Sequence, residues 1–314
     1  MGMNTGMNTG MNTGTNSDGT GAGTAHEQTL PDWVRSRLGR RRPAAGARRV
    51  LSAIAAQPQQ MSYASTSSVA AAAGVNVATV VRTAQQLGFS GWPALRAEIR
   101  SRYLSGLSAS EVLSEHHEDA GQGPAWATLR RDLHNLKDLA SLLDEAQVER
   151  VARTIHGAGT TLVLASGSFA APGLQLSHLA QTIGHDVRLH RVGGTALFNA
   201  VSLLGPQDCL VVFQVWRTPR EILHAMQVAA AAGTPIVLVS DQAREEVREL
   251  AAELVPMPSE GASMFPSLVA ATTIVQAVVA ALVACDPAAA AEWSDGVERL
   301  WSRFGLFPDP ENLQ

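Results

Sequence analysis

The stretch SSVAAAAGVNVATVVRTAQQLGF, residues 67–89, holds two short helical patterns joined by Gly74-Val75-Asn76. Ser65 stands where an N-cap would open the first helix, which runs to Ala73, and Gly74 closes it as a C-terminal glycine does. Asn76 caps a second helix that runs to Leu87 and stops at Gly88. A short turn containing glycine reverses the chain tightly between helices, as a helix-turn-helix requires. On the second helix Val77, Val80, Ala84 and Leu87 recur at helical spacing and form the inward side. Thr79, Arg82, Thr83 and Gln86 form the opposite stripe. All four exchange hydrogen bonds and none is acidic, which suits a helix lying in a DNA major groove. Arg82 fits a guanine edge or a phosphate equally well at this stage.

The flanking sequence is helical too. Ala44–Gln57 is amphipathic, with Ala47, Val50, Leu51, Ile54 and Ala55 at helical spacing, and Pro58 stops it. Pro93 fits the first turn of a last helix whose apolar side is Trp92, Leu95, Ile99 and Tyr103. A solvated polar face is the plain explanation of most polar stripes. Charge adds to the case here. Residues 1–105 carry eleven arginines and four acids, +7, whereas residues 106–314 carry a balance of −11 within a total of −4. Arginines can simply solubilise a small domain, but here the basic excess coincides with the glycine turn and the caps, which together point to a polyanion partner for this half. The expected DNA-contacting residues are Asn76, Thr79, Arg82, Thr83 and Gln86 for the groove, with Arg41, Arg42 and Arg96 for the backbone. Arg40, Arg48, Arg49, Arg100 and Arg102 are further candidates for backbone contacts.

Outside this region, residues 1–29 begin with three MNTG repeats and lack the apolar content to bury a core, so a disordered tail is expected. Helical patterning spans 30–107. A polar, glycine-containing linker is expected at 108–124, and 306–314 form a tail. From 125 to 305 short apolar runs alternate with helical segments. The runs are Thr161–Ala165, Val187–Arg191, Leu210–Val215, Ile236–Ser240 and Leu254–Met257. This alternation predicts a five-stranded parallel sheet covered by helices on both faces. Leu268–Cys285 is apolar but short of the ~20 residues of a membrane span. It is expected as a buried helix, in particular at a subunit interface, and no membrane association is expected. Cys209 and Cys285 are expected as free thiols in a reducing compartment, and no secretory signal is visible, so the cytoplasm is the expected location.

The stretch from Met61 to Leu95, with AGVNVATVVR and LGFSGWPALR, resembles the N-terminal domain of the RpiR/MurR family of bacterial transcriptional regulators. In that family a helix-turn-helix domain precedes a sugar isomerase (SIS) domain, and the alternating second half looks like that domain. The resemblance implies two domains, an all-α helix-turn-helix bundle followed by an α/β SIS domain. It further implies a homodimer or tetramer that represses or activates an operon by binding double-stranded DNA at an inverted repeat.

SIS domains usually bind phosphosugars between a glycine-containing turn after the first strand and hydroxyls on a loop after the third. Helix N-termini there favour the phosphate charge. The corresponding segments are Ala165-Ser166-Gly167-Ser168-Phe169 and Gln214-Val215-Trp216-Arg217-Thr218. Gly167, Ser168, Gln214 and Thr218 fit the family pattern. Phe169 replaces a serine, and Val215-Trp216 replace a Ser-Gly pair in which glycine admits the ligand closely. The expected ligand-binding residues are Ser166, Ser168, Phe169, Gln214, Trp216, Arg217 and Thr218. Three outcomes fit the departures: a less polar or smaller effector, a phosphorylated effector held by the remaining hydroxyls and arginine, or an empty pocket in a domain that only assembles subunits. The rival function classes are a sugar-phosphate isomerase and an architectural DNA binder without an effector. Isomerisation needs a general base beside an anchored phosphate. Only Glu260 offers itself, so no catalytic residue is assigned and the protein is expected not to be an enzyme. No cofactor is expected. Nor is a metal site, because His116 and His117 fall in the linker and His178, His185 and His190 lack companion ligands.

Overall fold

The structure is a computed structural model and describes residues 30–106, 123–214, 218–241, 245–263 and 265–307. The expected tail at 1–29, the linker at 108–122, Trp216, Arg217 and the terminal residues 308–314 lie outside the described residues.

Six helices make up the first part: α1 (Leu30–Leu38), α2 (Ala45–Ala56), α3 (Pro58–Tyr63), α4 (Thr66–Ala72), α5 (Val77–Gln86) and α6 (Trp92–Gly106). Pro58 does end α2, but it also opens α3 at the first helical position. A proline there lacks only an N–H that would have had no partner. Both turns around α5 close through glycine. Gly74 has φ +61°, Val75 N–H bonds to Ala70 C=O at 2.9 Å and Gly74 N–H to Ala71 C=O at 3.1 Å. Gly88 has φ +92°, and Phe89 N–H and Gly88 N–H repeat the pattern on Ala84 and Gln85. These are Schellman closures, which pair the last carbonyls of a helix while reversing the chain. Val50, Ile54, Met61, Val69, Val80, Ala84, Leu87, Trp92, Leu95 and Ile99 form one core with Trp33. The Trp92 indole N–H donates to Ala64 C=O at 2.8 Å and fixes α6 against the α3–α4 junction.

The second part opens with α7 (Pro124–Leu142) and α8 (Glu145–His156). A five-stranded sheet follows: β1 (Thr161–Ala165), β2 (Val187–His190), β3 (Cys209–Gln214), β4 (Ile236–Ser240) and β5 (Glu253–Pro256). All pairings are parallel and the spatial order is β2-β1-β3-β4-β5. The intervening helices are α9 (Ala170–Thr182), α10 (Gly194–Val201), α11 (Arg220–Ala231) and α12 (Glu245–Arg248), with α13 (Val269–Cys285) and α14 (Pro287–Arg303) at the end. Side chains alternate across the sheet. Val163, Val211 and Phe213 join the core under α8, α9 and α13, whereas Leu162, Leu164, Leu210 and Val212 join the core under α10 and α11. Burial on both faces explains why these strands read as unbroken apolar runs.

The helix α13 is an interior element. Ala270, Ala271, Ile274, Val275, Val278 and Leu282 are buried within this domain against α8 and α9. Burying each larger aliphatic side chain contributes about 1.5–3 kcal/mol. One face of 268–285 is thus buried inside the chain, while Thr272, Thr273, Gln276 and Val283 are exposed on the other. No single helix among the described residues is long and apolar enough to cross a membrane; α13 and α14 meet that test only as a pair bent by 107°. Both cysteines are free, and burial pushes the Cys209 thiol up to about 12, which leaves it unreactive.

Candidate nucleic-acid interface and effector pocket

The helix α5 begins at Asn76, whose Oδ1 accepts from Thr79 N–H at 2.8 Å and from the Thr79 hydroxyl at 2.7 Å. This cap pairs one otherwise open N–H of the first turn and holds the start of the helix at the surface. Asn76, Arg82 and Gln86 are exposed and Thr79 is half-buried. Thr83 departs from the expected stripe. It is buried, and its hydroxyl donates to Thr79 C=O at 2.7 Å. Threonine in a helix meets its own polar need on the preceding turn, so its position in a polar pattern does not oblige it to face water. Val77 departs in the opposite direction. It was expected inside, yet it is 47% exposed. The outward face of α5 is Val77, Ala78, Arg82, Gln85 and Gln86, with Val81 half-buried between them. Gln85, Val77 and Ala78 were missed by the sequence reading; rotating the helical wheel to bury Thr83 would have exposed all three.

The arginines divide into two groups. Arg40, Arg41, Arg42, Arg48 and Arg49 are exposed. Arg102 is engaged by Glu98 at 2.8 Å and lies 4.5 Å from the centre of the Trp33 ring. Arg100 lies 4.6 Å from the Tyr63 ring centre and pairs with Glu260 at 3.5 Å. Neither is a free backbone contact of the kind expected, because both are held by internal partners. Arg96 is half-buried on α6. On α4, Ser67 and Ser68 are exposed beside the cap Ser65.

In the second part, the last residue of β1, Ala165, is paired with Phe213, the penultimate residue of β3. The sheet order reverses at β1, with β2 on one side and β3 on the other. Ligands of open parallel sheets bind outside the carboxyl ends of the strands at such a switch point. Ser166, Gly167 and Ser168 stand there exposed, and Gly167 has φ +58°, a backbone conformation that favours glycine. Gln214 is buried at the end of β3; its Oε1 accepts from the Thr218 hydroxyl and its Nε2 donates to Ser240 Oγ at 3.4 Å.

Phe169 is not exposed beside Ser166 and Ser168. It is buried in the core beneath α9 with Val163, Ala165 and Phe213. The Glu260 carboxylate is bound by Arg131 at 2.6 Å and by Arg100 at 3.5 Å. Glu221 at the start of α11 is an acid that sequence reasoning passed over. It presses on Gly193 and accepts weakly from Gly194 N–H at 3.4 Å, the first residue of α10. A carboxylate there takes the place that a helix N-terminus offers to an anion. No group of three or more metal-ligating side chains exists among the described residues.

The first part is a helix-turn-helix bundle and the second is a five-stranded parallel fold of the kind found in SIS domains. Residues 44–106 match the helix-turn-helix domain of the rpiR family, in accord with the resemblance carried by AGVNVATVVR and LGFSGWPALR. The fold of the second part is shared with the sugar isomerase domain of an RpiR transcription factor from Sphaerobacter thermophilus. That likeness has TM-score 0.53 and 23% identity over 55% of this chain and 96% of that one. A longer likeness is to the NanR protein of Vibrio vulnificus, solved in complex with ManNAc-6P. It has TM-score 0.55 and 17% identity over 88% of this chain and 99% of that one.

Proposed function

We propose that this protein recognises a specific operator through α5 and that its SIS domain is an effector and assembly module rather than an enzyme. In this reading the DNA-binding domain spans 30–107, a linker spans 108–124 and the SIS domain spans 125–305. The observation that carries it is the outward face of α5: it is capped by Asn76, set by two glycine closures, free of acid and centred on Arg82. Arg82 reads guanine, Gln85 and Gln86 suit adenine, and Val77 and Ala78 offer methyl contacts to thymine. Arg41, Arg42, Arg48 and Arg49 neutralise phosphates.

In this reading the effector pocket lies over Ser166, Ser168 and Thr218, with Trp216 and Arg217 just before Thr218 in sequence. NanR was solved with a phosphosugar, so a phosphorylated effector is the reference case. Two features favour a weakened phosphate grip here: Phe169 supplies no hydroxyl, and Glu221 places negative charge at the start of α10. Against isomerase activity, Glu260 is committed to two arginines. Self-association is supported by two faces of large apolar side chains, Trp126, Leu129 and Leu133 on α7 and Trp293 and Leu300 on α14, all more than 45% exposed.

The deciding experiment is a nuclease footprint on the DNA upstream of the protein's own gene, run at moderate salt. One protected inverted repeat is expected. Uniform, salt-limited protection would instead identify an architectural binder. Thermal shift against sugar phosphates and apolar metabolites reads the pocket: no shift with any compound would favour the assembly-only role.

A further inference from the structure

The described residues after β5, 257–263 and 265–268, are bound on both sides. Towards the sheet, Met257 N–H bonds to Ser240 C=O at 2.9 Å, and the Ser259 hydroxyl donates to Asp241 Oδ2 at 2.6 Å. Towards the helices, Asn135 of α7 clamps the backbone of Glu260 twice, donating to its C=O at 2.8 Å and accepting its N–H at 3.2 Å. Asn135 is buried. Ser267 donates to Asp132 at 2.5 Å. The Glu260 carboxylate then spans two helices of different domains, with Arg131 of α7 on Oε1 and Arg100 of α6 on Oε2. All three side chains are largely withdrawn from water, at 16%, 26% and 20% exposure, so the charges attract with little screening. Arg100 is further seated over Tyr63 of α3, in the core-bearing part of the DNA-binding domain.

The pocket reaches the same loop. Thr218 donates to Gln214, Gln214 to Ser240, and Asp241 follows Ser240 in the chain. We propose that Glu260 is a latch: it couples the loop behind the effector pocket to the DNA-binding helices through Arg100, so that displacement of Thr218 or Gln214 is felt in α6. In its regulatory sense the latch rests on the reading of this protein as an effector-responsive DNA binder. The coupling itself does not.

The test is a double-mutant cycle on the full chain, E260Q, R100M and both, followed by hydrogen exchange. R100M keeps the apolar stem over Tyr63 and removes the charge. E260Q is expected to speed exchange of amides 92–103 at least threefold, and R100M to speed amides 259–263 at least threefold. The double variant should exceed neither single effect. Changes confined to the substituted domain, or effects that multiply in the double variant, would overturn the latch. Should E260Q fail to fold, the remote effect of R100M decides alone. T218V tests the pocket end. Faster exchange at 259–263 supports the relay, and no change there removes the pocket from it. Loss of duplex binding by the unsubstituted chain would defeat the operator reading while leaving the exchange result to stand.

Discussion

Gly46 of α2 and Thr79 of α5 lie in such close contact that a Cβ on Gly46 would sit 2.9 Å from Thr79 Cγ2. The recognition helix is therefore seated on α2 through a gap left by a missing side chain, with Val75 bounding the same gap at 3.8 Å. The Thr79 side chain cannot swing away freely, because its hydroxyl is bonded to Asn76 and β-branching restricts its rotamers.

Gly46→Ala sets two effects against each other. Replacing glycine within a helix gains about 1 kcal/mol, while overpacking costs about 1–3 kcal/mol. The expected result is a net loss of up to about 2 kcal/mol, with weaker DNA binding because α5 is displaced. Adding Thr79→Ser removes the obstructing methyl and keeps the hydroxyl for Asn76. The double variant should be at least as stable as Gly46→Ala alone, and denaturant unfolding of the four proteins checks this.

Arg82 and Thr83 are adjacent in sequence and opposite in role. Arg82→Ala removes an exposed side chain, so the melting temperature should hold while operator affinity falls by about 1–3 kcal/mol, roughly 5–150-fold. Thr83→Val removes a hydroxyl bonded inside the helix. It should change affinity less than about twofold and cost about 1 kcal/mol of stability. Fluorescence anisotropy on the footprinted duplex, beside thermal unfolding, separates the two. Equal affinity losses would restore Thr83 to the DNA-facing stripe.

The Trp92 indole links α6 to Ala64, and both ends of that bond are buried. Trp92→Phe keeps an aromatic ring but leaves the Ala64 carbonyl without its donor. A buried unsatisfied polar group costs about 1–3 kcal/mol. The expected outcome is a lowered midpoint for the DNA-binding domain, read from near-ultraviolet dichroism.

The sheet was legible because strands buried on both faces must be apolar throughout, and all five emerge within a residue or two of their expected bounds. The helix-turn-helix was legible because its caps and glycines act locally. What escaped the sequence depends on neighbours that no local pattern reports. Thr83 is inside because its own helix satisfies it. Phe169 fills the core although its neighbours Ser166 and Ser168 face solvent. Glu260 meets Arg131 across 129 residues, so its salt bridge left no trace in spacing. Pro58 was read as a stop because proline cannot continue a helix; it can also begin one, and α3 is the result.

His156 and His185 meet with their rings tilted by 55° and with Nδ1 and Nε2 3.1 Å apart. Burial, reinforced by the neighbouring His156 charge, holds His185 below the usual histidine value of 6.5. The unfolded chain then binds more protons than the folded one near and below pH 6.5, so stability rises with pH through that window and falls on acidification. The carboxylates act in the same direction at lower pH. Glu253 is held down by its bond to Arg150, and Asp186 by Arg188, so their contributions are present above the ordinary carboxylate range and lost as pH falls through it. The two windows are separable. His185→Gln should flatten the stability profile between about pH 7.5 and 5.5, a slope of at most about 1.4 kcal/mol per pH unit, and leave the acid limb below pH 4 unchanged. Denaturant midpoints at constant ionic strength measure both limbs. An unaltered slope in the variant would assign the neutral-range dependence to another group.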